Sequence, residues 1–368
     1  MLFNLICKAY IRLYILTALK KLLSILFIVY SSSSIDINAQ GLWTKKASLP
    51  MAGRYDGISF SVGNFGYVGL GIGSVYSYHD LWQFNPSINS WTRKADFPGS
   101  ARISPATFVI GHKAYVVTGE DSTGNNFYTE CWVYDVNTNI WIQKNNFPGA
   151  ARTWAFGFSI GGKGFLGTGN RNGIDYYKDF WEYDTASDTW TRKTDFGGSA
   201  RGGTCGFCIG NKGYVCFGND TINAIERDIW VYDTGSNSWT RKTNNPDSGY
   251  YGANGFVINN NIYVGTGVNS GSPYERRFWK YNTLTDVWTR EANFAGNGRA
   301  NSCASFAIAD SGYLGFGVDS VPNYYNDFYK FYPDTLTSIN EISTIKTSIR
   351  IFPNPSNGKF NIELGMRN

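Results

Sequence analysis

From Trp154 to Lys193 apolar and polar positions alternate, and glycines and short polar clusters cut the pattern into four pieces. Trp154 to Ile160 is rich in aromatics with small residues between, which predicts an inner strand with a crowded, glycine-tolerant face. Gly161-Gly162-Lys163-Gly164 supplies the positive-φ positions of a tight hairpin, and Phe165-Leu166-Gly167-Thr168-Gly169 reads as the return strand. After a loop from Asn170 to Lys178, Asp179-Phe180-Trp181-Glu182-Tyr183 alternates so that Phe180 and Glu182 share one face and Trp181 and Tyr183 the other. Asp184 to Asp188 is a turn cluster, and Trp190-Thr191-Arg192-Lys193 is a polar outer strand.

The same order recurs along the chain. Trp43, Trp91, Trp141, Trp190, Trp239 and Trp288 are spaced by 48, 50, 49, 49 and 49 residues. Two further columns keep the beat: Tyr67, Tyr115, Phe165, Tyr214, Tyr263 and Tyr313 in the hairpins, and Trp82, Trp132, Trp181, Trp230, Trp279 and Tyr329 in the third strands. One such sheet cannot bury both faces without neighbours, so a repeat of about 50 residues predicts an all-β, six-bladed propeller. Its ends are complementary: Trp43 has no inner strands before it, and the last inner set, ending at Phe331, has no Trp strand after it. Leu42 to Ala47 is therefore expected to be the outer strand of the last blade, closing the ring and leaving no edge unpaired there.

Each repeat joins an aromatic return strand ending in glycine to Asp-hydrophobic-Trp-x-Tyr-Asp, then Trp, then Pro-Gly-x-x-Arg. Phe147-Pro148-Gly149-Ala150-Ala151-Arg152 and Asp228-Ile229-Trp230-Val231-Tyr232-Asp233 are examples. This arrangement resembles the kelch family over residues 41 to 335. Where that family has paired glycines, this chain has Gly-x-Gly, as in Gly265-Thr266-Gly267, which keeps a glycine at the strand end.

Residues 1–39 combine Lys20-Lys21, an apolar run from Leu22 to Tyr30, a polar Ser31 to Ser34 and Asn38-Ala39-Gln40, the order of a secretory signal peptide cleaved after Ala39. The apolar run is shorter than the roughly 20 residues that span a bilayer. A second apolar stretch, Tyr10 to Leu19, makes the leader long and leaves a retained anchor or a later start open. Without the leader, 29 basic residues face 27 acidic ones, and a chain so nearly neutral gives no reason to expect nucleic-acid binding.

The propeller pattern, residues 40–335, gives way to a polar linker, 336–347. Ile349 to Leu364 then alternates around Phe352-Pro353-Asn354-Pro355. This segment resembles the opening of the C-terminal sorting domain of type IX secretion in the Bacteroidota, which implies the type IX machinery as a partner. Residues 348–368 cover only the start of such a domain, too little to bury a core. Five cysteines follow the leader, Cys131, Cys205, Cys208, Cys216 and Cys303, an odd count that excludes complete pairing within one chain. Cys205-x-x-Cys208 lies in a predicted inner strand with no second pair nearby and reads as small apolar core; Cys208 and Cys216 flank a hairpin.

Candidate chemistry gathers where the innermost strands begin. Arg54, Arg102, Arg152, Arg201 and Arg299 share one position, with Tyr250 in blade five. In kelch propellers this position rims the channel mouth, and the resemblance admits an anion-binding ring, for which guanidinium forks are suited. A structural reading competes with it. Asp80, Glu130, Asp179, Asp228 and Asp327 begin the third strands, and blade five alone has Arg277 there, so the blade without the arginine is also the blade without the acid. Paired loss favours structural salt bridges. Loop aromatics precede these acids, including Tyr78, Tyr128, Tyr177 and Tyr325 two residues upstream, and periodic packing accounts for most of them. Those that break the beat, Tyr76 and Tyr274, join Tyr250, Tyr251 and Arg277 as ligand candidates, against the alternative that Tyr250 stacks on Arg277.

His79 and His112 are the only histidines and fall at opposite ends of their blades, so the sequence gives no multi-histidine metal site and expects no metal or cofactor. It also lacks the two-histidine, two-tyrosine copper site of galactose oxidase. The resulting reading is an exported propeller, secreted or at the cell surface, that binds a glycan or an extracellular protein. The alternatives are a carbohydrate-active enzyme of sugar epimerase or oxidase type, needing in the epimerase case only acid and base groups, and a structural adhesion module without a small ligand.

Overall fold

The computed structural model describes residues 41–222, 224–271, 274–301, 304–333, 348–353 and 360–365, and divides them into two units. The signal-peptide reading of residues 1–39, the linker and Cys303 fall outside the described residues. In the smaller unit Ser348–Pro353 pairs antiparallel with Phe360–Gly365, Ile349 opposite Leu364.

The larger unit is a six-bladed β-propeller of four-stranded antiparallel sheets. Blade three is Phe156–Ile160, Lys163–Gly167, Phe180–Asp184 and Thr189–Lys193, hydrogen-bonded in that order. Its inner strand begins two residues later than the apolar run suggests, because Trp154 takes φ 58° and leaves the ladder. The expected alternation of its third strand is also modified. Phe180 and Tyr183 are both fully buried, since each face of a blade packs on a neighbour: Phe180 against Tyr232 of blade four, Tyr183 against Phe108 and Tyr115 of blade two.

The ring closes through the N-terminal strand. Leu42–Lys46 pairs with Phe328–Tyr332 from Leu42 opposite Tyr332 to Lys46 opposite Phe328, completing blade six. The tryptophan period has a specific cause. Each indole N–H donates to a carbonyl of the preceding blade: Trp91 to Ala47 at 2.9 Å, Trp141 to Ala95 at 3.0 Å, Trp288 to Thr243 at 2.7 Å, and Trp43 to Ala292 at 3.3 Å across the closure. Close approach fixes glycines in the return strands. A Cβ on Gly164 would lie 2.1 Å from the ring of Phe108, which blade two inserts against it.

The return-strand ends, Gly-x-Gly in four blades, Val117-Thr118-Gly119 in blade two and Cys216-Phe217-Gly218 in blade four, act as joints. The middle residue takes a left-handed conformation in all six blades, at Leu70, Thr118, Thr168, Phe217, Thr266 and Phe316, and the glycine after it donates its N–H to the next blade's arginine-position carbonyl. Gly119 donates to Arg152 and Gly317 to Arg54, so this chain of bonds also runs around the whole ring. Left-handed β-branched and aromatic residues are costly, and the surrounding bonds hold them there.

Cys131, Cys205 and Cys216 are buried free thiols, and Cys208 is half-buried. Cys205 lies opposite Cys216 in the ladder, while Cys208 lies opposite Gly213, so Cys208 and Cys216 are not cross-strand partners.

Candidate functional site

Five arginines at the loop-bearing end of the inner strands are 0 to 1% exposed. Arg152 Nη1 and Nη2 donate to Asp179 Oδ1 and Oδ2 at 2.5 and 2.9 Å, Nη1 also donates to the carbonyl of Thr168 at 2.9 Å, and Nε to that of Ala150 at 2.9 Å. Arg54–Asp80, Arg102–Glu130, Arg201–Asp228 and Arg299–Asp327 repeat the pairing. Trp181 Nε1 donates to Asp179 Oδ2 at 2.7 Å, and Trp82, Trp132 and Trp230 make the same bond to their acids, which is why a tryptophan stands two residues after four of the five. Tyr78, Tyr128, Tyr177 and Tyr325 lie 4.1 to 4.4 Å from the guanidinium carbons, so the aromatic two residues before the acid covers the ion pair. Burial pushes the Asp179 carboxyl up, but the hydrogen bond and charge of Arg152 outweigh it and leave it below the ordinary carboxylate value. None of the five arginines presents its side chain to solvent.

Because such a pair is buried, removing one partner strands the other. Arg152→Ala and Asp179→Ala should each cost about 3–5 kcal/mol, and the double variant clearly less than their sum. Urea denaturation of the cycle checks this; strict additivity would show that the two groups are not coupled.

Blade five solves the same position with the charges exchanged. Tyr250 is fully buried where the arginine would be, and its hydroxyl donates to Asp247 Oδ2 at 3.0 Å and accepts from Trp279 Nε1 at 3.3 Å. Arg277 Nη1 donates to Asp247 at 2.5 Å, and its other nitrogens donate to Glu275 at 2.6 and 2.9 Å. The Glu275 hydrogen bonds, ahead of the neighbouring charges, push the Arg277 guanidinium up. The lost ion pair is thus replaced by a carboxylate from the preceding loop, not by stacking of Tyr250 on Arg277. Tyr250 and Arg277 belong to this framework, and burial closes Tyr250 to any ligand.

The residue two places after each arginine position forms the throat of the channel. Asp56, Ser104, Trp154, Gly203, Gly252 and Asn301 all have φ between 49° and 68°, and each N–H donates to the carbonyl of its counterpart one blade back, from Ser104 onto Asp56 at 2.7 Å round to Asp56 onto Asn301 at 3.0 Å. The cavity of about 160 Å³ at this closed hydrogen-bond ring is lined by these residues with Pro105, Thr204 and Asn254 among others. Below it, the inner strands line a wider channel section of about 370 Å³, faced by Ser59, Thr107, Ser159 and Ser305.

Side chains at the throat differ from blade to blade. Blade four contributes only Gly202 and Gly203; a Cβ on Gly203 would lie 3.1 Å from the Trp154 ring, so the glycine makes room for the indole. Across that gap Trp154 meets Tyr251, ring centroids 6.2 Å apart. Burial pushes the Tyr251 hydroxyl up, and the charges of Tyr274, Tyr176 and Asp56 add to it, which places those groups around it. Asp56 lines the cavity enclosed by protein on its sides but touched by water from the channel. Its carboxyl is raised to about 8: desolvation pushes it up most, the Ser104 hydroxyl pulls it down, and the negative charge of Glu120 adds to the rise. Glu120 is itself raised to about 7, by burial and then by Asp121.

Of the five ligand candidates from the sequence, the structure brings Tyr251 and Tyr274 together at the mouth. Tyr76 is exposed and is not among the residues lining the cavity. Asp56, Ser104, Trp154 and Asn301 were missed. The signal for them was a column that changes chemistry in every blade inside a repeat that otherwise holds its residue types.

The raised Asp56 sets a pH dependence. The folded chain keeps a proton that the unfolded chain releases near pH 4, so this group's stabilisation is complete below that value and is lost as pH rises through about 8. The melting temperature of Asp56→Asn minus that of the unmodified protein should therefore grow from pH 5 to 8 and then level off. A constant difference would show that Asp56 titrates normally.

Among the described residues, no three His, Cys, Asp or Glu side chains gather where a metal ion could be held. No helix among them is long and apolar enough to cross a membrane. No protein-family model and no curated protein matches the chain. Among solved structures, one titled "Structure of YjhT" is similar, with a TM-score of 0.65 and 16% sequence identity over 77% of this chain and 96% of that one. It is one of 913 solved chains that match, a set too broad to point to one activity, and at that identity the likeness bears on the fold alone.

Proposed function

We propose that the protein is an exported, kelch-type propeller that binds a glycan at the mouth of its channel, outside the cell or at its surface. One observation carries this reading: Trp154 meets Tyr251 over the glycine step of blade four, rings tilted by 48°, and lines a cavity with the polar groups of Asp56, Ser104 and Asn301. A sugar ring offers an apolar C–H face for an aromatic platform and hydroxyls for the polar groups next to it. The repeated Asp-x-Trp-x-Tyr-Asp and Pro-Gly-x-x-Arg motifs support the kelch assignment. Export rests on the signal-peptide pattern, and a type IX route on Phe352-Pro353-Asn354-Pro355.

A glycan array probed with the purified protein tests the reading. Trp154→Ala should weaken any hit by about tenfold or more. An empty array, or hits indifferent to that substitution, would leave a protein partner or a plain adhesion module. N-terminal sequencing of the exported protein should return Gln40.

A second reading, an enzyme of sugar epimerase type, is favoured by Asp56 alone, because a carboxyl that holds its proton near neutrality can serve in acid–base chemistry. Turnover of an array hit, followed by NMR and lost in Asp56→Asn, would establish it.

A further inference from the structure

The mouth has an uneven distribution of charge. The arginines that rim the inner strands are all buried and neutralised by acids of their own blades, and Arg277 is held by Asp247 and Glu275. No lysine or arginine is among the residues lining the cavity at the throat. Arg171, laid over the Phe127 ring, is an exposed rim residue and is not among the lining residues. Asp56 does line the cavity, and among the described residues it makes no ion pair; Glu120 lies close enough for its charge to be felt at Asp56. Trp154 lines the same cavity and meets the Tyr251 ring, and Tyr176, Tyr274 and Asp56 are near enough for their charges to act on the Tyr251 hydroxyl; Asn219 Nδ2 donates to the Tyr176 hydroxyl at 3.0 Å.

A carboxyl without a cationic partner, sharing a small cavity with the Trp154 ring, is complementary to a positive charge. The ring quadrupole attracts a cation over its face, and an ammonium arriving at Asp56 favours release of the carboxyl proton, after which the carboxylate accepts its N–H hydrogens. An anionic ligand would find no lysine or arginine among the residues lining the cavity. We propose that the ligand of the channel mouth is cationic, an aminated sugar whose ammonium sits at Asp56 and whose ring lies against Trp154 and Tyr251. This rests on the glycan reading for the sugar and on Asp56 for the charge, so the two can fail separately.

Isothermal titration of the full chain with glucosamine, glucose, glucuronate and choline, repeated on Asp56→Asn, tests both. Glucosamine should bind about tenfold more tightly than glucose, glucuronate more weakly than either, and Asp56→Asn should bring glucosamine and glucose within about twofold. Binding of glucose and glucosamine with equal affinity, or of glucuronate most tightly, would overturn the cationic assignment while leaving glycan binding intact. Choline and glucosamine binding with no neutral sugar bound would support the cation site and overturn the glycan reading. An amine preference that survives Asp56→Asn removes Asp56 from the site, and no binding by any of the four overturns the proposal altogether.

Discussion

Removing residues 41–50 should leave a chain without a cooperative unfolding transition. The segment supplies the fourth strand of blade six, whose ladder along Phe328–Tyr332 would become an open edge. It also supplies Trp43, 8% exposed, whose ring sits 4.8 Å from Phe331, 5.1 Å from both Phe278 and Phe294, and 6.4 Å from Phe256. Those partners come from blades five and six, so losing Trp43 uncovers the interface between them and not one sheet alone. The Gly41 N–H bond to Glu291 Oε2, at 3.1 Å, goes with it. Trp43→Ala by itself should cost about 3–5 kcal/mol, the usual range for emptying a large aromatic site. Since domains of this kind have only about 5–15 kcal/mol in total, the full deletion should exceed what the fold can lose. Thermal and urea denaturation, followed by tryptophan fluorescence, measure both; a deletion variant that melts where the intact protein does would show that the ring is held closed elsewhere.

The parts of the fold readable in the sequence were those where one physical demand repeats in every blade. Each tryptophan of the 49-residue beat must donate to the blade before it, and each third-strand acid must meet its arginine, so residue type and spacing both recur. Burial on both faces made the strand pattern of Phe180 to Tyr183 less legible, because a blade between two neighbours has no solvent face to which polar residues are confined. The throat was illegible for a different reason. Its left-handed turn is set by a hydrogen-bond ring that uses only backbone, so it holds Asp56, Ser104, Trp154 and Asn301 there as well as glycine, at a conformational cost, and Trp154 reads as the start of a strand. A reading built on repetition passes over the positions the fold leaves unspecified.

Blade five was half legible: the joint loss of arginine and acid was visible, but its compensation was not. Asp247 stands where blades two, three, four and six have Gly99, Gly149, Gly198 and Gly296. A Cβ on those glycines would lie 3.1, 3.2, 2.7 and 2.6 Å from the arginine Nη2, so the arginine there favours a glycine. With Tyr250 in the arginine's place the restriction lifts, and a carboxylate can enter to hold Arg277.

Tyr250→Arg should therefore be among the most damaging single substitutions in the propeller. It places a second guanidinium in a fully buried position beside Arg277, crowds Asp247, and removes the acceptor of Trp279 Nε1. An uncompensated buried charge of this kind should cost about 3–5 kcal/mol, and the clash with the Asp247 side chain adds to it. The combined variant Tyr250→Arg, Arg277→Asp, Asp247→Gly rebuilds the arrangement of the other blades, with a buried arginine, an acid ahead of Trp279 and a glycine to make room. Glu275 needs no change, since blade four keeps Glu226 in the same place, 3.9 Å from Arg201. Recovery should stop about 1–2 kcal/mol short, because Asn245 stands where Phe97, Phe147, Phe196 and Phe294 cover the arginines. Urea midpoints of the three single variants and the triple measure the coupling. A triple variant no more stable than Tyr250→Arg would show that the exchanged charges of blade five are independent of one another.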